Sequence, residues 1–217
     1  MTIELGLRER KKQQTRRRIA EAAMALFAER GFDQVPVAEI ARSADVSEAT
    51  VFNYFANKED LVYQGMEEFE TALIEAIRQR PAGTSVLQAY RDFVLQPRGA
   101  LLDASPEAIA QVATVARIIA GSPTLQSRER QTFDRYTGVL AQLISTETGA
   151  GADDVEPHVV ATALMGVNRA MKDLVHRLAQ SGHRGAHITA EVFAQGHRAL
   201  DLLERGLAGY PDTSATA

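Results

Sequence analysis

Ala49, Thr50, Asn53, Tyr54 and Lys58 cluster in the stretch VSEATVFNYFANKEDL, Val46–Leu61. Their types suit contact with double-stranded DNA. An Asn can bond adenine in two places on its major-groove edge, and a Thr can touch a thymine methyl or donate to a phosphate. Ala49 is small enough for close approach. The Tyr54 hydroxyl and the Lys58 ammonium suit phosphate oxygens. Lys58 also falls in the first turn of a following helix, whose amides favour an anion. Plainer readings stand beside these. Ser47 is a helix N-cap first and a DNA contact second. Glu48 would be repelled by phosphates and complements the helix dipole instead. Thr50 and Asn53 also fit a solvated surface, and Tyr54 fits a half-buried core position.

Such side chains must be carried by a short helix held firmly from behind. Ile19, Ala22, Ala23, Leu26 and Phe27 recur at helical spacing, so a first helix runs from about Glu9 to a stop at Gly31. Val37, Ile40 and Ala41 open a second, with Pro36 suited to its first turn. A third covers about Glu48 to Phe55. The connection SADV, residues 43–46, makes the pair a helix-turn-helix, with Asp45 as the residue that tolerates a left-handed backbone. Ile40, Ala41, Val46, Val51, Phe52 and Phe55 are expected to pack inward. Asn57 caps a fourth helix, with Asp60 at its N3 position and Leu61, Met66, Phe69, Leu73 and Ile77 as its buried stripe. RPAGTS at residues 80–85 reads as a boundary. Beyond it the periodicity gives helices over about 86–95, 105–119, 124–148, 155–180 and 189–206. The fold class is all-α: an N-terminal three-helix helix-turn-helix head and a C-terminal helical domain. The expected division is 1–56 for the basic arm and helix-turn-helix, 57–80 for the connecting helix, 81–208 for a C-terminal helical domain, which the resemblance described below makes the effector-binding and dimerisation domain, and 209–217 for a disordered tail.

Charge is distributed unevenly. Residues 1–18 hold seven basic side chains against Glu4 and Glu9, a surplus of five; with a net charge of −4, the rest of the chain carries −9. A basic end on an acidic body suits a polyanion, and it also suits a solubilising tail. There is no cysteine, hence no disulfide or thiolate chemistry. No apolar run is long enough to span a membrane, and the charged N-terminus is unlike a secretory signal. A cytoplasmic protein is expected.

TRRRIAEAAMALFAERGFD, VAEIARSADVS and ATVFNYFANKEDL, in this order, resemble the N-terminal region of the TetR family of transcriptional regulators. The resemblance covers about the first 65 residues; IIAGSPTLQSRERQ, residues 118–131, is similar to actinobacterial members. It implies a DNA-binding head, a connecting helix and a helical body that binds a small effector and dimerises. The DNA-facing residues read above, Ser47, Ala49, Thr50, Asn53, Tyr54 and Lys58, all lie within the matching stretches. Three departures are visible. Val35 and Pro36 stand where a Thr is usual, Asp45 replaces the turn Gly, and Phe52 replaces a Tyr and loses its hydroxyl. The basic arm, Arg16 and Arg17 included, is expected to add phosphate or minor-groove contacts.

For the body, Phe69, Tyr90, Phe93, Phe133, Tyr136, Met165 and Met171 are candidate pocket residues that also fit ordinary core packing. Asn168, Arg169 and Lys172 interrupt an apolar stripe, where a polar effector could partner them. A solvated face, or pairing with Asp173 or Glu191, explains them equally. His183 and His187 lie four apart, but Gly182 and Gly185 argue against a helix there. The expected partners are a DNA operator, a second copy of the chain and an unidentified small molecule, with no membrane, metal or cofactor. The leading function is a repressor released from a near-palindromic operator by its effector. The alternative is an effector-independent regulator or activator of the same fold. An enzyme is disfavoured, because no catalytic constellation is present and Glu67, Glu68 and Glu70 read as a solvated face.

Overall fold

The structure, a computed structural model, describes residues 6–63 and 66–206. The tail expected at 209–217 lies outside them. Among the described residues the chain forms ten α-helices and no β-strand: α1 (Leu7–Arg30), α2 (Val37–Ser43), α3 (Glu48–Tyr54), α4 (Met66–Arg78), α5 (Val86–Val94), α6 (Ala100–Asp103), α7 (Pro106–Ala120), α8 (Pro123–Thr148), α9 (Glu156–Gln180) and α10 (Gly185–Arg205). A 3-10 turn, Glu59–Leu61, precedes α4. Two compact units result. The head comprises residues up to Glu67 with Thr114–Arg130, and the body comprises Glu68–Ala113 with the chain from Gln131 onward. Both α7 and α8 are therefore shared between units, where the sequence suggested boundaries after residues 56 and 80.

In the head, α1 becomes buried only at Ile19, followed by Ala20, Ala23 and Phe27. It ends at Gly31, whose φ of 82° no side chain favours and whose N–H reaches the Phe27 carbonyl. The end of α2 is a Schellman motif. The Val46 N–H bonds the Ala41 carbonyl at 3.0 Å and the Asp45 N–H bonds the Arg42 carbonyl at 3.2 Å. Asp45 takes the left-handed conformation, φ 51°, as its type suggested. Pro36 sits one residue before α2 rather than inside its first turn.

The expected fourth helix is broken. Asn57 and Asp60 do cap each other: the Asp60 N–H donates to the Asn57 side chain at 3.0 Å and the Asn57 N–H to the Asp60 carboxylate at 3.2 Å. What they enclose is the single 3-10 turn, and Leu61 at its end joins the head core. Leu73 and Ile77 on α4 join the body core instead.

The head also takes in an elbow between α7 and α8, where the chain bends by 101°. Ile118, Ile119 and Leu125 are buried in the same core as Phe27 and Val51. The Ser122 hydroxyl donates to the Asp33 carboxylate at 3.1 Å and accepts from the Leu125 N–H at 3.2 Å. The Tyr63 hydroxyl donates to the Leu125 carbonyl at 2.8 Å, and Arg128 lies 3.5 Å from Asp60.

The body core gathers Ile74, Tyr90, Leu140, Leu164, Met165, Ile188 and Leu200 from several helices. Fully burying a side chain of this size contributes about 1.5–3 kcal/mol. Helix α10 starts earlier than the sequence suggested. Gly185, read as a breaker, is its first residue, because a Cβ there would stand 2.1 Å from the Ala104 carbonyl oxygen. The glycine is a close-approach position and not a stop.

Candidate nucleic-acid interface

Helix α3 has seven residues, so its hold on the head decides what it can present. Val51 and Phe55 are 1% and 2% exposed and anchor it. At about 100° per residue, Ala49 and Asn53 lie on the side opposite Val51, and both are exposed. The N-terminus is fixed by Ser47, whose hydroxyl accepts from the Thr50 N–H at 3.0 Å. That oxygen also lies 2.8 Å from the Thr50 hydroxyl. Thr50 thus supports the cap that orients α3 and sits on the flank of its outer face. Tyr54 is half-buried and packs against the head core.

Two residues depart from expectation. Lys58 is turned inward: its ammonium donates to the Phe32 carbonyl at 2.6 Å and lies 4.2 Å from the Phe32 ring centroid. Burial holds its pKa below the usual lysine range, against the opposing pull of Asp33 and Glu59. Its charge ties the start of the 3-10 turn to the end of α1. Phe52, expected in the core, is 49% exposed. Counting from the buried Val51, Phe52 points about 100° away, beside Ala49 one turn earlier.

The basic residues Arg8 to Arg18 form the first turns of α1, which begins at Leu7, close to the start expected near Glu9. Arg8–Arg18 are exposed, apart from half-buried Thr15. Arg16 lies 5.1 Å from the Phe55 ring at the end of α3, and Arg18 donates to the Asp45 carbonyl of the turn at 3.4 Å. Arg17 pairs with Glu21 along α1 at 2.7 Å. Two arginines therefore lean toward the helix-turn-helix and one stays on its own helix.

The effector candidates in the body fall into smaller groups. Phe69 and Phe93 pair with ring centroids 5.4 Å apart, and the Arg98 guanidinium lies 4.0 Å from the Phe93 centroid. Arg98 also donates to the carbonyls of Phe93 and Gln96. Arg169 is exposed and lies 5.5 Å from the Phe133 ring. Tyr90 is fully buried, and its hydroxyl donates to the Leu164 carbonyl at 2.6 Å. Burial raises its pKa. Tyr136, Met165 and Met171 are core residues, and Met171 fills the space a Cβ would take at Gly196. Asn168 and Lys172 are half-buried. Glu70, expected in solvent, is 6% exposed. It shares a face of α4 with Leu73, Ile74 and Ile77, three, four and seven residues on. Among the described residues, no three His, Asp or Glu side chains are placed to hold a metal. The His183 and His187 rings lie with centroids 4.9 Å apart, tilted by 37°. No single described helix is long and apolar enough to cross a membrane.

Comparison with known proteins matches this architecture. Residues 19–64 fit the family of bacterial regulatory proteins, tetR family. Residues 85–208, more than half the chain, fit the MftR C-terminal domain. The HTH-type transcriptional regulator TcmR of Streptomyces glaucescens is 28% identical over 167 residues, covering 76% of this chain and 74% of its own. The regulator MftR of Mycobacterium tuberculosis is 28% identical over 168 residues, covering 73% and 78%. The crystal structure of NalD, the secondary repressor of the MexAB-OprM multidrug efflux pump in Pseudomonas aeruginosa, superposes with a TM-score of 0.52 at 19% identity, covering 87% of this chain and 96% of that one. That likeness is one of fold.

Proposed function

The chain belongs to the TetR family of DNA-binding transcriptional regulators, and from that premise we propose that it is a cytoplasmic homodimeric repressor released from a near-palindromic operator by a small-molecule effector. The observation that carries the reading is the exposed Ala49–Asn53 edge of α3, on a helix capped by Ser47 and anchored by Val51 and Phe55. A helix held at its N-terminus and presenting small and amide side chains suits the major groove. Asn53 is the residue we assign to direct base reading. Arg16, Arg17 and the rest of the basic first turns of α1 are assigned to phosphates, which position the head without reading sequence. Lys58 is assigned to holding the head together.

A second copy is supported by α9. Val155, just before its first turn, and Val159 and Val160 on it are 69%, 60% and 42% exposed. Apolar side chains clustered in this way suit burial against the same face of a second chain. Two heads in such a dimer would read half-sites about one DNA turn apart, roughly 34–36 Å. The effector would bind the body among its aromatic side chains, with the Phe69–Phe93 pair the leading candidate. Its signal has covalent routes to the head: α7 and α8 both run from the body into the elbow that completes the head core. A coupling of about 1–3 kcal/mol suffices to change occupancy of the operator.

The test is binding of the purified protein to the duplex flanking its own gene, across a salt series, with Asn53→Ala beside it. Saturation at one dimer per near-palindrome, with sequence preference relaxed in Asn53→Ala, supports the reading. Weak binding to every sequence, unchanged in the variant, would sink it.

A further inference from the structure

We propose that His183 and His187 form a two-imidazole chelate for a divalent transition metal, copper(II) above all, at the corner between α9 and α10. The site lies within the body and is independent of the DNA-binding reading. Its backbone is fixed by the fold alone. Helix α9 ends in a Schellman motif, with Gly182 in the left-handed conformation at φ 75°. The Gly182 N–H bonds the Ala179 carbonyl at 3.1 Å, and the His183 N–H bonds the Leu178 carbonyl at 3.2 Å. Arg184 alone separates His183 from α10, whose first residue, Gly185, is held against the Ala104 carbonyl. The Ile188 N–H then closes the first turn on the Arg184 carbonyl at 3.0 Å. His183 thus stands just before the cap of α10 and His187 in its first turn, on a connection tied at both ends.

The spacing of the rings is that of a chelate. Two imidazoles sharing one metal through nitrogens at about 2.0–2.1 Å, at an angle between square and tetrahedral, have centroids roughly 4.5–5.3 Å apart. The observed separation is 4.9 Å. The χ2 torsion of histidine is broad, so each ring can turn a nitrogen edge toward a shared point with the backbone in place. Both side chains are exposed, so an ion reaches them from solvent and water completes its coordination. Imidazole nitrogen suits copper, nickel and zinc, whereas calcium and magnesium take oxygen ligands. Among these ions copper(II) binds a given nitrogen set most tightly. Charge contributes little. The carbonyl end of α9 favours a cation, and the amide end of α10 and the exposed Arg184 oppose one. Affinity therefore rests on the two nitrogen bonds. A bare ring stack would give a similar spacing and bind no ion, which a titration decides.

The experiment titrates the purified, untagged full chain with copper(II), nickel(II), zinc(II) and magnesium in turn. Wild type is expected to bind one copper(II) per chain, nickel(II) and zinc(II) more weakly, and magnesium not at all. His183→Ala and His187→Ala should each lose about 100-fold in copper affinity, because the first imidazole presents the second at a high effective concentration. His158→Ala and His197→Ala, which remove exposed histidines elsewhere in the body, should lose nothing. Electron paramagnetic resonance of the copper(II) complex should show two nitrogen donors in wild type and fewer in either pair variant. Since both rings are exposed, the pair variants should melt with the wild type in the absence of metal. Copper(II) should then raise the melting temperature of the wild type alone, by mass action on the folded state. Binding in wild type no tighter than in the His183→Ala/His187→Ala double variant overturns the proposal. So does an equal loss in His158→Ala or His197→Ala.

Discussion

Polar groups are used differently in the two units. In the N-terminal part of the head the helix caps are local: Ser47 caps the helix it precedes, and Asn57 and Asp60 cap each other, while Lys58 and Arg18 reach the Phe32 and Asp45 carbonyls. In the body polar groups tie together elements far apart in the chain. The Tyr90 hydroxyl reaches the Leu164 carbonyl. Arg80 grips both oxygens of Glu147. Arg91 bonds Asp201 and Glu204, and the Thr189 hydroxyl reaches the Leu101 carbonyl. A local cap fixes the direction of a short helix whatever else the chain does, which suits a reading head whose α3 must keep its aim. Long-range ties hold together a bundle whose helices come from distant parts of the chain.

The elbow is where the contrast is most easily broken, because it serves the head from distant sequence. Leu125 is fully buried there. Leu125→Ala should cost about 3 kcal/mol, near the middle of the range for such truncations, and should weaken operator binding in proportion to the unfolded head. Chemical unfolding followed by a head-specific probe checks this. Destabilisation confined to the body would detach the elbow from the head. A smaller effect is expected for Tyr90→Phe, which leaves the Leu164 carbonyl without that donor and should cost about 1–2 kcal/mol. It should also change the response to alkali. Burial raises the phenol's pKa in the folded state. The unfolded chain then loses its proton first, so stability present below about pH 10 falls as pH rises further. Melting at about pH 8 and about pH 10.5, either side of the ordinary phenol pKa, should show a smaller alkaline decrease in Tyr90→Phe than in wild type. Equal decreases would show that Tyr90 is not the source.

The same contrast explains what could be read in advance. The left-handed Asp45 and the Ser47 cap are each decided within a few residues, so residue type alone announced them. Phe52 was misplaced because a two-turn helix rich in aromatics fits more than one inward face, and only burial decides. The Asn57–Asp60 pair looks the same in sequence whether it caps a long helix or one 3-10 turn. Glu70 sits in the run EEFE, which reads as surface, yet the helical period sets it on the stripe of Leu73 and Ile77. The apolar residues of α7 and α8 announced helices without saying which core each would join. The grouping of body aromatics was equally silent, since Phe69 meets Phe93 across a boundary and a second helix.

Two smaller changes sharpen the head side. Asp45 bears a backbone cost for its φ of 51° that glycine would not. Asp45→Gly should therefore raise stability by up to about 1 kcal/mol, reduced by the extra freedom glycine brings to the unfolded chain. Asp45→Val should lower it, and paired melting curves give both signs.

The smallest effect on folding is expected at Arg17. Its ion pair with Glu21 is in solvent on both sides, with 82% and 64% of the side chains exposed, and such pairs contribute little. Arg17→Ala should leave the melting temperature unchanged. If the first turns of α1 meet phosphate, the same change should lower affinity on every duplex alike and reduce the slope of log K against log salt by about 0.9 for each phosphate no longer neutralised. Asn53→Ala should instead alter preference among sequences with the slope intact. An unchanged slope in Arg17→Ala, repeated in Arg16→Ala, would mean that these basic turns serve solubility, and would leave α3 to hold the DNA without them.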